Sequence, residues 1–177
     1  MGSDDEKLMA VAAEGRALLF DELEGDRGLH VETLVAAAAR LAGSCLLRSF
    51  KLDLTGIAPG SPVFSDLADQ HGPQLMDLLG KTLAVLEVPI DETQVTGEVT
   101  PDHAPLMDCF ETLLQLQAPA RALLARHGFD DVRGARAFTL TTAILIHETQ
   151  AVVPAQSLFD IAVTGLVEGA KMAPPPA

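Results

Sequence analysis

The fold is decided by residues 133–153, which read Arg-Gly-Ala-Arg-Ala-Phe-Thr-Leu-Thr-Thr-Ala-Ile-Leu-Ile-His-Glu-Thr-Gln-Ala-Val-Val. No residue between Arg136 and His147 is charged, so a helix formed here is apolar or neutral on every side. Such a helix belongs in the middle of a bundle or at a subunit interface, because it has no face suited to water. We therefore predict a central helix at residues 133–153, with the other helices packed around it.

A second segment with little polar surface spans residues 29–50. One face carries Leu34, Ala38 and Leu41, and the other carries Ala36, Ala39 and Gly43, so four consecutive alanines at 36–39 contribute to both. Small side chains allow another backbone to approach closely. The pattern predicts a second central helix that crosses a neighbour at short distance. The crossing lies either within the chain, which we favour, or across a subunit interface.

Helical spacing of apolar residues recurs along most of the chain and predicts an all-α fold. Pro73 is expected to open a helix, since proline is favoured at the first helical position. Two β-like runs, at 50–55 and 94–100, leave open a short two-stranded β flap. We predict an irregular bundle of about six or seven helices forming a single domain over residues 1–172, followed by a disordered Pro-rich tail at 173–177. Nearly complete burial is predicted for seven large apolar side chains: Leu34, Leu41, Phe110, Phe138, Ile144, Leu145 and Phe159.

The composition is apolar and acidic. Hydrophobic residues make up 48% of the chain, and its 14 glycines raise the apolar share to about 56%, above the roughly 45–50% typical of a soluble domain on that count. The surplus predicts apolar helix faces that a second copy covers, and hence a homodimer. A net charge of −13 disfavours binding to nucleic acid or to anionic lipid. No apolar run approaches the roughly 18 residues that a membrane span requires.

Charge is unevenly distributed along the second half of the chain. Residues 82–119 contain seven acids and no Lys or Arg, and four arginines follow, at 121, 126, 133 and 136. This pattern predicts a solvated acidic edge beside a basic one, or an electrostatic match between subunits. The two cysteines, Cys45 and Cys109, lack metal-type spacing and are predicted to be buried free thiols of a cytoplasmic protein.

Two short clusters carry groups that could do chemistry. His147-Glu148 matches only the first two positions of the zinc-protease helix motif, since Ala151 stands where the second histidine is needed. Asp66, Asp69 and His71 could bind a divalent ion, although their spacing matches no established motif. In both clusters a structural role is the commoner explanation for such residues. His30 and His103, near predicted helix starts, are expected to be surface residues.

Three functional classes are compatible with this sequence. The favoured class is a non-enzymatic homo-oligomeric or partner-binding module, because surplus apolar surface occurs without a catalytic signature. The alternative is a small-molecule or metal-dependent enzyme, with a site where a 53–73 loop meets His147 and Glu148 and with His71 contributed by the loop. Long loops on a helical scaffold are where such sites concentrate. A helical ligand-binding regulator is a third hypothesis, and the sequence identifies no cofactor or substrate.

Overall fold

The computed structural model of the protein describes residues 2–176. Over this range the chain forms six α-helices and two short 3-10 helices, at Glu92–Gln94 and Pro101–His103. The predicted all-α bundle is confirmed. The helices are α1 (Ser3–Leu23), α2 (Val31–Ser49), α3 (Asp66–Val85), α4 (Cys109–Arg126), α5 (Asp131–Thr149) and α6 (Ala155–Ala170). None of the described helices is long and apolar enough to cross a bilayer.

Helix α5 occupies the centre of the bundle, as its uncharged stretch predicts. Asp130 caps its N-terminus by accepting a hydrogen bond from the amide of Arg133 at 2.9 Å. Its threonines are accommodated in the core because their hydroxyls bond to backbone carbonyls, which removes the cost of burying them. The Thr142 hydroxyl donates a hydrogen bond to the Phe138 carbonyl at 2.8 Å. The Thr141 hydroxyl donates to the Ala12 carbonyl of α1 at 2.9 Å.

Helices α2 and α6 cross with their backbones in direct contact. A Cβ atom built on Gly43 would lie 2.2 Å from the carbonyl oxygen of Leu166, and one on Gly169 would lie 2.2 Å from that of Arg40. Only glycine permits this approach, because any side chain would occupy the space of the opposing backbone. The close crossing expected from the small residues of α2 therefore lies within the chain.

Helix α3 begins earlier than the sequence suggested. It starts at Asp66, after Ser65 accepts a hydrogen bond from the Leu67 amide at 3.2 Å, and it continues through Pro73. The expectation that Pro73 opens the helix is wrong. Gly72 favours the continuity, because a residue without Cβ reduces the clash that proline imposes on a helical predecessor. Residues 66–73 are therefore helical, and no loop spans 53–73.

The predicted β flap is also wrong, since the described residues contain no β-strand. The backbone of residues 94–100 is bonded to α6 instead. The Thr96 amide donates to Asp160 Oδ1 at 3.2 Å, and the Thr164 hydroxyl donates to the Gly97 carbonyl at 3.2 Å. Because side chains of a helix satisfy these groups, the segment lies along α6 and does not pair with residues 50–55.

The C-terminal prolines lie against the bundle over the described residues 173–176. The Ala173 amide and carbonyl bond with Ser61 and Gly60, at 2.9 and 2.8 Å. Gln117 Nε2 donates to the Pro175 carbonyl at 2.9 Å, and Pro175 is buried. These contacts differ from the disorder expected there. Met1 and Ala177, the ends of the predicted domain and tail, lie outside the described residues.

Burial follows the prediction at five of the seven side chains named above, each at most 4% exposed. Phe110 and Ile144 are only partly buried. Phe110 packs on the surface loop at Gly60, where a Cβ atom would meet its ring at 3.1 Å. The five buried side chains are Leu34, Leu41, Phe138, Leu145 and Phe159.

Candidate functional site

The acidic and histidine side chains of the predicted 66–71 cluster point to different partners. Asp69 accepts a hydrogen bond from Lys171 Nζ at 2.8 Å. His71 lies against the Phe50 ring, with 5.5 Å between ring centroids. Asp66 is exposed in the first turn of α3, where its charge favours the helix N-terminus. Within residues 2–176, no group of three or more His, Cys, Asp or Glu side chains could hold a metal ion.

The His147-Glu148 pair does not join this cluster. Glu148 forms an ion pair with Arg16 of α1, and the His147 side chain is exposed. His71 lies near Arg136 in a groove at the other end of α5. The eleven residues from Arg136 to His147 span about 16 Å of helix at 1.5 Å per residue. The structure therefore places His71 and His147 near different ends of α5 and does not bring them together.

A different cluster, which the sequence did not reveal, joins the two histidines expected at the surface. Glu32 is only 8% exposed, and its carboxylate contacts the rings of both histidines, His30 and His103. His30 Nε2 lies 3.4 Å from one carboxylate oxygen, and His103 Nδ1 lies 3.2 Å from the other. Their 73-residue separation along the chain hides the pairing, because only the tertiary fold brings residue 103 to the start of α2.

This cluster fastens the segment between α3 and α4 onto α2. The Leu106 amide donates to the Thr33 hydroxyl at 2.9 Å, and Arg40 Nη1 donates to the Met107 carbonyl at 2.7 Å. Arg40 is also paired with Glu168 of α6 at 3.1 Å. Every buried polar side-chain atom in the described range has a hydrogen-bond partner within the protein. The network therefore holds this segment, α2 and α6 together.

The two thiols are also unsuited to chemistry. Burial raises the pKa of Cys45 to about 11, although neighbouring Arg48 acts in the opposite direction. Burial likewise raises the pKa of Cys109 to about 12. A thiol with such a pKa is almost entirely protonated near neutral pH and is a poor nucleophile.

A groove lies between α3 and the N-terminal half of α5, hereafter the α3–α5 groove. Its volume is about 330 Å³. The floor is apolar, because buried or half-buried side chains of three helices meet there, while mostly charged or polar side chains form the rim. The floor residues are Leu46, Leu75, Leu78 and Ala135; the rim residues include His71, Gln74, Asp77, Lys81, Val132 and Arg136.

The rim combines an exposed apolar side chain with charges of both signs. Val132 is 55% exposed although it borders the apolar floor. Asp77 and Lys81 form an exposed ion pair at 2.7 Å along α3. Arg136 has no ion-pair partner among residues 2–176, unlike Arg133, which pairs with Asp4. The α3–α5 groove therefore offers an apolar recess, an apolar knob and an unmatched positive charge on one face.

No family model, curated protein or solved structure matches this chain.

Proposed function

We propose that the protein is a non-enzymatic helical binding module that acts as a homodimer, with the α3–α5 groove as the subunit interface. The observation that carries this proposal is the position of Val132, an exposed apolar side chain beside an apolar recess. In a two-fold dimer the same patch faces itself, so a knob and a hole on one patch fit each other twice. Val132 of each copy would enter the recess of the other.

Charge on the rim supports the same arrangement. Arg136 offers a cation without an internal partner, and Asp77 offers a carboxylate held only by an exposed neighbour at i+4. Water screens an exposed pair of this kind, so Asp77 can exchange Lys81 for a stronger partner. A two-fold axis through the groove would pair Arg136 of each copy with Asp77 of the other. Complementary rim charges of this kind fix the register of an interface.

The enzymatic alternative has less support. Its proposed residues lie on separate parts of the bundle, and the buried polar network around Glu32 is internally satisfied. Catalysis requires convergent groups beside a space for the reacting atoms. We place the module in the cytoplasm, a proposal supported by its two unpaired buried cysteines.

Light scattering tests the proposal through the Val132→Glu variant. The wild-type protein should have twice the 18.6 kDa chain mass at micromolar concentrations. Glutamate in the first turn of α5 is compatible with the helix, but it would place a charge in the apolar recess of the partner. The variant should therefore be a folded monomer of 18.6 kDa.

The matched control is Val152→Glu. Val152 is 74% exposed in the turn after α5 and does not line the groove. This variant should have the mass of the wild-type dimer. A wild-type mass of 18.6 kDa, or dimers formed equally by both variants, would exclude the α3–α5 groove as the interface.

A further inference from the structure

We propose that a second cavity, between α3 and α6, binds a free amino acid with an apolar side chain. This cavity, hereafter the α3–α6 pocket, shares Leu46 and Leu75 with the α3–α5 groove and has a volume of about 130 Å³. Its walls are mainly apolar. They include Leu46 of α2, Leu75 and Met76 of α3, and Leu166 and Ala170 of α6.

The size of the α3–α6 pocket suits a small hydrocarbon group. A dry cavity of about 150 Å³ lined by Leu, Ile and Phe is known to hold benzene. At about 130 Å³, this pocket accommodates a slightly smaller group, such as the branched side chain of leucine. Pockets for small molecules typically combine such an apolar interior with a few polar groups that orient the ligand.

The polar groups at the mouth of this pocket are an acid and a base. Lys171 Nζ donates to Asp69 Oδ1 at 2.8 Å, and both residues line the cavity. The Lys171 and Asp69 side chains are 41% and 67% exposed, so water screens their attraction and the pair is easily exchanged. The two charged groups can therefore accept a ligand that carries the complementary charges.

A zwitterion meets this requirement. The α-carboxylate of an amino acid would accept hydrogen bonds from Lys171, and its α-ammonium would donate to Asp69, while the side chain occupies the apolar interior. A simple anion is less suitable, because the protein carries a net charge of −13 and repels it at long range. A simple amine would leave Lys171 without a partner. The amino acid is neutral overall and satisfies both groups.

The experiment is a titration of the full chain with L-leucine, followed through methionine methyl resonances after ¹³C labelling. The Met76 methyl should shift and saturate, with a Kd of about 1 mM or below. The Met9 methyl, which is exposed on α1, should not move. L-Alanine, 4-methylpentanoate and 3-methylbutylamine each lack one recognised group, and each should bind at least roughly tenfold more weakly.

Substitutions at the mouth identify the recognising groups. Lys171→Met and Asp69→Asn should each weaken L-leucine binding by roughly tenfold, the effect of losing one hydrogen bond to a charged group. The matched controls are Lys7→Met on α1 and Asp66→Asn in the same turn of α3 as Asp69; neither residue lines the pocket. Both controls should bind L-leucine like the wild-type protein.

Three results would overturn the proposal. The first is that the Met76 methyl shows no saturable shift at about 50 mM L-leucine, far above the expected Kd. The second is equal affinity for 4-methylpentanoate and L-leucine, and the third is that the control substitutions weaken L-leucine binding as much as Lys171→Met and Asp69→Asn do. Because the Met76 signal reports the α3–α6 pocket in a monomer or a dimer, its outcome is separate from that of the subunit-interface proposal.

Discussion

The substitution Gly43→Ala places a methyl group at the closest contact between α2 and α6. Its Cβ would lie 2.2 Å from the Leu166 carbonyl oxygen and 2.7 Å from the Ala170 nitrogen. Ordinary contact begins at 3.4 Å, so the helices must separate by 3.4 − 2.2 = 1.2 Å. Overpacking typically costs about 1–3 kcal/mol, and backbone obstacles place this case at the upper end. Alanine is favoured over glycine in a helix by about 1 kcal/mol, which leaves a net loss of about 2 kcal/mol.

The matched control is Gly80→Ala in the interior of α3. There the new Cβ meets only the end of the flexible Glu92 side chain, at 2.6 Å, and this carboxylate can move away. The control should gain about 0.5–1 kcal/mol from helix propensity. Far-UV circular dichroism during urea unfolding is the appropriate assay, because the chain contains no Trp or Tyr. Equal or greater stability of Gly43→Ala would refute the backbone-contact explanation.

Further substitutions test other parts of the fold. Leu145→Ala should lower the free energy of unfolding by about 2–5 kcal/mol, because a fully buried side chain is truncated; a loss below about 1 kcal/mol would contradict its central position. Arg40→Met should cost about 2 kcal/mol, since the Met107 carbonyl and the partly exposed Glu168 lose their partner; unchanged urea unfolding would mean that water replaces the arginine. Folding raises the pKa values of Cys45 and Cys109 above the usual thiol value of 9.0, so the protonated thiols contribute their full stabilisation below pH 9.0. This contribution should be lost as the pH rises from 9.0 toward 11. Urea unfolding at pH 8 and pH 10 checks this trend, and a Cys45→Ala, Cys109→Ala double variant should show less of it.

The helical core was predictable because its signal is local. An uncharged stretch of 10 residues between Arg136 and His147 identifies a central helix without reference to any other part of the chain. The alanines and Gly43 of α2 likewise predict a close crossing. They do not identify its partner, since Gly165 and Gly169 of α6 become relevant only once the two helices are known to meet.

The errors arose where a tertiary contact replaced a local preference. The proline preference places a helix start at Pro73, but the Ser65 cap lies farther upstream and the helix continues through Gly72 and Pro73. Residues 94–100 alternate like a strand, yet side chains of α6 take their hydrogen bonds. The contacts of Glu32 with both histidines depend on the path of a long segment, and no local spacing encodes that path.

The subunit-interface proposal is tested most directly by mixing two charge-reversed proteins. Arg136→Glu alone would place acid against acid twice in a two-fold dimer, and Asp77→Arg alone would place base against base twice. Both should be monomers of 18.6 kDa by light scattering. In an equimolar mixture both cross-subunit pairs become attractive, so the account predicts a dimer of about 37 kDa, twice the chain mass. A mixture that stays at 18.6 kDa, or single variants that dimerise like the wild-type protein, would contradict it.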